Sequence, residues 1–107
     1  MEFVNVQQAF DLVSSGQAYG IDVREQHEWD AGHFEQFTLK PLSQFDLSQV
    51  PTDKPVIFVC RSGNRSGQVC DALAVTGASV MNMEGGMLAW QSAGLPMSAK
   101  SGTPSIS

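Results

Sequence analysis

The chain is short of basic side chains: 6 Lys and Arg stand against 11 Asp and Glu in 107 residues, a formal charge of −5. Phosphate backbones are gripped by clusters of Lys and Arg, so nucleic acid is not an expected partner. Cysteine is scarce too, with only Cys60 and Cys70. Two thiols cannot build the disulfide framework of a small secreted domain, and in a reducing compartment such residues are catalytic or buried. Long hydrophobic runs are missing. The longest, Val56 to Cys60, has five residues, whereas a membrane helix takes about 20, so no membrane partner is expected. Residues Met1 to Asn5 lack the basic cluster and apolar run of a secretory leader, and a cytoplasmic location is expected. Charged residues make up 16% and apolar ones 42%, which supports a folded core and excludes a polyelectrolyte. A domain takes about 100 to 200 residues, so the chain has space for one.

What is present alternates between two periods. Val6, Ala9, Phe10 and Val13 recur at helical spacing behind the capping residue Asn5, with Gln8 placed to return the capping bond and Gly16 as a stop. A helix over 6–14 is predicted. Tyr19 to Arg24 reads as a strand, Glu25 to Ala31 as a polar helical turn ended by Gly32, and Thr38-Leu39 as a short strand before Pro41. A polar, proline-bounded connection over 50–55 leads into Val56-Ile57-Phe58-Val59-Cys60, apolar on both faces and therefore a central parallel strand. A helix from about Arg65 to Thr76, a buried strand Val80 to Met83, a Gly85-Gly86 turn and a helix Met87 to Ala93 follow. Residues 98–107 hold four Ser, a Gly and a Pro and are expected to be a disordered tail beyond a domain at 1–97. The alternation defines an α/β domain with a central, mostly parallel sheet flanked by helices.

In such sheets, sites form beyond the carboxyl ends of the strands. Cys60 stands at one, opening the loop Cys60-Arg61-Ser62-Gly63-Asn64-Arg65-Ser66. A loop of small polar residues with a Gly can curl so that successive backbone N–H groups converge, and the helix that follows adds the positive end of its dipole. That cradle suits an anion. An unperturbed thiol, pKa about 8.5, is only roughly 3% ionised at pH 7, and a helix N-terminus with nearby Arg lowers the pKa. Two of the six basic residues, Arg61 and Arg65, lie in this loop of an acidic chain. A lone strand-end Cys is ordinarily a small buried hydrophobe. The Cys, the Gly, the two Arg and the helix start together favour an activated nucleophile for an anionic substrate.

Ile21-Asp22-Val23-Arg24-Glu25, the stretch Glu28 to His33 ending Gly32-His33, the Cys60 to Ser66 loop, and Gly85-Gly86-Met87-Leu88-Ala89-Trp90 with Gly94-Leu95-Pro96 occur in this order, and over about residues 3–97 the chain resembles a single-domain rhodanese. The resemblance implies a three-layer α/β fold and a thiosulfate:cyanide type of sulfurtransferase. Cys60 would take sulfane sulfur from thiosulfate or a similar small anionic donor as a persulfide and pass it to cyanide or a thiol, a protein thiol included. The amides of Arg61, Ser62, Gly63, Asn64, Arg65 and Ser66 would surround the persulfide, while Arg61 and Arg65 would draw the donor and neutralise the departing sulfite. No cofactor is implied. A protein-to-protein persulfide relay is the alternative. A non-catalytic interaction domain is disfavoured by retention of Cys60. A Cys-dependent phosphatase is disfavoured by loop length: such enzymes place one residue more between the Cys and the phosphate-clamping Arg than the four between Cys60 and Arg65.

One segment departs from the family pattern. After Gly32-His33 the usual apolar-proline-glycine-alanine run is replaced by Phe34 to Lys40, which leaves the pocket wall open to a different donor or partner. Of the remaining candidates, Asp22 and Arg24 share one side of a strand and fit structural support, with substrate contact as the alternative. His33 fits orienting or capping better than proton transfer, and His27 is expected in solvent. Cys70 is expected in the core rather than as a resolving thiol. Two Cys and two His without a close-spaced pair point to no metal. Trp90, Met87 and Leu88 are expected in the core, with Gly85-Gly86 allowing close approach to the Cys60 loop.

Overall fold

The computed structural model describes residues 2–106. Five parallel strands form one sheet: β1 (Glu2–Val4), β2 (Tyr19–Asp22), β3 (Thr38–Leu39), β4 (Val56–Val59) and β5 (Val80–Met83), in the order β1-β5-β4-β2-β3. Three helices connect strands, α1 (Val6–Ser14), α2 (Gln26–Ala31) and α3 (Asn64–Ala74), α4 (Gly86–Ser92) follows β5, and two short 3₁₀ turns, Leu42–Gln44 and Leu47–Gln49, lead from β3 to β4. The central position expected for Val56 to Val59 is observed, with all four residues buried. The strand β1 and both 3₁₀ turns were not predicted. Three residues are too few to show a period, and Glu2 to Val4 gains its structure only by pairing with Met81 to Met83.

Because side chains alternate across a strand, β4 feeds two cores. Ile57 and Val59 join Ala9 and Val13 of α1, Met87 and Trp90 of α4, and Phe34 and Phe37. Val56, Phe58 and Cys60 join Val69, Cys70 and Leu73 of α3 on the opposite face. The result is the expected three layers. Asn5 caps α1 as predicted, its Oδ1 accepting from the Gln8 amide at 2.8 Å while Gln8 Oε1 accepts from the Asn5 amide at 2.9 Å, a box worth about 1 kcal/mol.

The unusual segment after His33 serves packing. Phe34 and Phe37 lie 4.9 and 5.2 Å from Trp90, ring centre to ring centre, and 5.1 Å from each other. Trp90 is fully buried, and its indole N–H donates to the Pro96 carbonyl at 2.9 Å. Bulk at 34 and 37 therefore closes the α1 and α4 side of the sheet, while β3 still pairs with β2.

Residues 98–106, expected to be disordered from composition, are placed against α2. A helix leaves its last four carbonyls without intrahelical donors. Here the Glu28 carbonyl accepts from the Gly32 amide, the Trp29 carbonyl faces His33 Nδ1 at 2.7 Å, and the Asp30 and Ala31 carbonyls each accept at 2.9 Å, from the amides of Lys100 and Ser105. His33 and Ser98 form an antiparallel bridge, and Ile106 packs on the core. Low hydrophobicity hid these contacts, because the segment is held by backbone donors that any sequence carries.

Candidate active site

Cys60 follows β4 immediately and is 1% exposed. Gly63, with φ of 104°, stands just before α3 and turns its N–H back to Cys60 Sγ at 3.0 Å. The Ser66 hydroxyl lies 3.3 Å from the same sulfur. Burial pushes the Cys60 pKa up, but the Ser66 hydroxyl and the amides of Ser66, Gly63 and Ser62 outweigh it and bring the pKa below its ordinary value. The loop thus turns donors inward around one sulfur.

Helix α4 holds the outside of that loop. The Met87 and Leu88 amides, at the start of α4, donate to the Cys60 and Arg61 carbonyls at 2.8 and 3.0 Å. With those carbonyls drawn outward, the loop amides are free to face the sulfur. The approach requires glycine: Gly86 has φ of 58°, and a Cβ there would lie 2.4 Å from the Cys60 carbonyl oxygen and 2.5 Å from that of Arg61. The close approach expected of Gly85-Gly86 is therefore observed.

The two loop arginines are placed differently. Arg61 is exposed. Arg65 turns to α2, where its Nη1 and Nη2 each meet one Glu28 carboxylate oxygen at 2.7 Å. The Arg65 fork holds the Glu28 carboxyl at a pKa of about 2, and Glu28 raises that of Arg65. Arg65 thereby fastens the start of α3 to α2, and its charge is shared with a carboxylate before any anion arrives. Arg24 and Asp22 form a second pair, fully buried, with Nε 3.0 Å from both carboxylate oxygens and Nη2 at 2.8 Å from one. Arg24 also donates to the Gly32 carbonyl at 2.8 Å, so this pair provides the expected structural support between β2 and α2.

Of the remaining candidates, His33 caps: the Trp29 carbonyl can only accept, so Nδ1 carries the proton, and the ring stacks on Trp29 at 4.0 Å. Cys70 is a residue of α3 whose side chain is buried in the core, where burial and then Asp71 push its pKa up to about 12. His27 is exposed. Two residues of the site escaped prediction. Glu28 stands in the sequence as the start of the Glu28 to His33 motif and at a capping-box spacing after Glu25, and neither signal points to an Arg partner 37 positions on. Asn82 is the one polar residue of the buried strand Val80 to Met83, which is the signal that could have found it.

A family model for the rhodanese-like domain matches residues 6–93. The chain belongs to that family. It is 39% identical over 75 residues to "Putative sulfurtransferase YtwF" of Bacillus subtilis, covering 68% of this chain and 73% of that protein. To a sulfurtransferase of Allochromatium vinosum it is 44% identical over 57 residues, covering 52% and 53% of the two chains. The crystal structure of a rhodanese-related protein from Thermoplasma volcanium shares the fold, with a TM-score of 0.83 at 24% identity over 92% of this chain and 98% of that one. The chain spans about half the length of several curated relatives, 44% of one from Synechocystis. Among the described residues no helix is long and apolar enough to cross a membrane.

Proposed function

We propose that this protein is a sulfurtransferase in which Cys60 carries sulfane sulfur as a persulfide. The observation that carries the reading is a buried thiol met by donors from Gly63 and Ser66 and held below its ordinary pKa. A thiolate so placed is a nucleophile, and the same donors accommodate the persulfide it forms. With thiosulfate, Cys60 S⁻ attacks the outer sulfur and a new S–S bond forms. The bond to the sulfonate sulfur breaks, and sulfite leaves with its electron pair. Cyanide or a thiolate then attacks the outer sulfur of the persulfide, and the electron pair of the Cys60 S–S bond returns to Sγ.

Within this scheme the arginines have separate tasks. Arg65 is forked to Glu28, so its contribution is to fix the loop and temper the local charge. Arg61 is exposed and attracts the anionic donor from solvent. Its loss is expected to raise KM for thiosulfate about threefold to tenfold and to flatten the salt dependence. Unchanged thiosulfate turnover in Arg61→Ala would refute that role.

The test of the whole reading is direct. The protein is incubated with thiosulfate and its intact mass measured for a gain of one sulfur atom, then cyanide is added and thiocyanate assayed, beside Cys60→Ala. The adduct and the thiocyanate are expected in the wild type alone. Replacing thiosulfate by a persulfidated protein, and cyanide by a protein thiol, separates small-molecule transfer from a relay. An unmodified wild type under every donor would sink the proposal.

A further inference from the structure

β5 is apolar except at Asn82, which is 5% exposed and pairs with Phe58 of the central strand. A polar side chain in such a strand is costly unless its donors and acceptors are met. Both ends of this amide are met, and both by the Cys60 loop. Nδ2 donates to the Gly63 carbonyl at 3.0 Å, and Oδ1 accepts from the Ser66 hydroxyl at 2.6 Å. The Gly63 carbonyl can only accept, so it fixes which end of the amide faces it and turns Oδ1 to Ser66. Gly63 and Ser66 are the residues whose donors stand 3.0 and 3.3 Å from Cys60 Sγ.

The Ser66 hydroxyl therefore has one proton and two acceptors within reach. Beside a neutral thiol the proton stays on the shorter contact, to Asn82 Oδ1. Beside a thiolate, the stronger acceptor, it turns to Sγ by rotation about one bond, with no heavy atom moving. When Sγ attacks the donor, the new S–S bond moves the negative charge from Sγ to the outer sulfur, and the leaving group takes the electron pair of the bond that breaks. The hydroxyl proton then returns to Asn82. As the acceptor removes the outer sulfur, the S–S pair comes back to Sγ and the proton swings again.

We infer that Asn82 is a positioning residue for the sulfur transfer, anchoring Gly63 through its carbonyl and giving the Ser66 hydroxyl an alternate acceptor, so that donation to Sγ follows the charge on Sγ. The inference rests on Cys60 as the sulfur carrier and adds the residue that governs its donors.

The test measures alkylation of Cys60 by iodoacetamide against pH, with peptide mapping to separate Cys60 from Cys70. This readout reports the thiolate whichever donor is physiological, so an error about thiosulfate leaves it intact. Asn82→Asp opposes the Gly63 carbonyl with a carboxylate and holds the Ser66 proton. It is expected to move the alkylation midpoint upward and slow the reaction at pH 7 about tenfold. Asn82→Ala is expected to slow persulfide turnover about tenfold in the wild type and less than threefold in Ser66→Ala, where one arm is already gone. A folded Asn82→Asp with an unmoved midpoint would overturn the inference, because loss of packing alone does not shift a pH profile. If Asn82→Asp does not fold, Asn82→Ala decides. A loss just as large in the Ser66→Ala background, or none in either background, overturns the proposal.

Discussion

Cys60 and Cys70 are the same residue type, both buried, in one hydrophobic cluster on one face of the sheet, yet their thiols are pushed in opposite directions. Cys70 is surrounded by side chains of that cluster, and burial lifts its pKa to about 12. Cys60 loses as much water but gains the Gly63 amide and the Ser66 hydroxyl, and its pKa falls. Burial by itself silences a thiol. Burial with aligned donors activates one, because a desolvated sulfur feels those donors more strongly than water would let it.

The sharpest way to break this comparison is to delete each sulfur. Cys60→Ala is expected to abolish the persulfide adduct, whereas Cys70→Ala keeps sulfur transfer within twofold and lowers stability by about 1 to 2 kcal/mol. Intact mass after thiosulfate treatment and a urea titration measure the two effects, and an adduct surviving in Cys60→Ala would reverse the assignment. Next in size is the support behind the loop. Gly86→Ala puts a methyl 2.4 Å from the Cys60 carbonyl oxygen and is expected to cost about 3 kcal/mol together with most of the activity. Gly77→Ala has a similar positive φ but nothing within 4 Å, and is expected to cost about 1 kcal/mol with activity retained. Equal costs at the two positions would mean that backbone conformation alone sets the penalty.

Ser66→Ala removes one donor and moves Cys60 toward the state of Cys70. Alkylation of Cys60 at pH 7 is expected to slow about tenfold, the worth of a hydrogen bond to a charged acceptor. The last effect falls on stability and acid resistance rather than on the sulfur. Arg65 holds Glu28 at a pKa of about 2, below the ordinary 4.5, so its stabilisation is complete above the ordinary value and is lost as pH falls from 4.5 toward 2. Glu28→Gln is expected to cost on the order of 2 kcal/mol at pH 7, with the difference shrinking through that window. Urea midpoints at a series of pH values measure it, and a difference that does not change with pH would show that the pair contributes by shape alone.

Local signals reached most of the scaffold. The capping box at Asn5 and Gln8, the two-faced apolar run at 56 to 60 and the stop at Gly16 each act over a few residues, and the elements formed close to the expected bounds. The Cys60 loop was legible for the same reason: its sulfur and its donors lie within seven consecutive residues. Arg65 shows the limit. Its position in the loop suggested anion binding, whereas its side chain is taken up by a carboxylate 37 residues earlier, and no spacing rule joins the two. The tail at 98–106 shows a related limit, since backbone amides that close off α2 leave no mark in composition.

By itself the amino-acid sequence determined the α/β alternation, the family and the thiol at a strand end with a glycine and two arginines behind it. Periodicity, turns and an ordered set of short motifs carry that information locally. Only the tertiary structure decided that Glu28 holds Arg65, which glycine lets α4 reach the loop, and which amide stands behind Ser66. The Asn82 and Ser66 contact, 16 residues apart, exists because β4 and β5 lie side by side under α3. Partners of this kind are chosen by how the chain packs, and their physical effect on Cys60 depends on angles and distances to one sulfur that residue order does not encode.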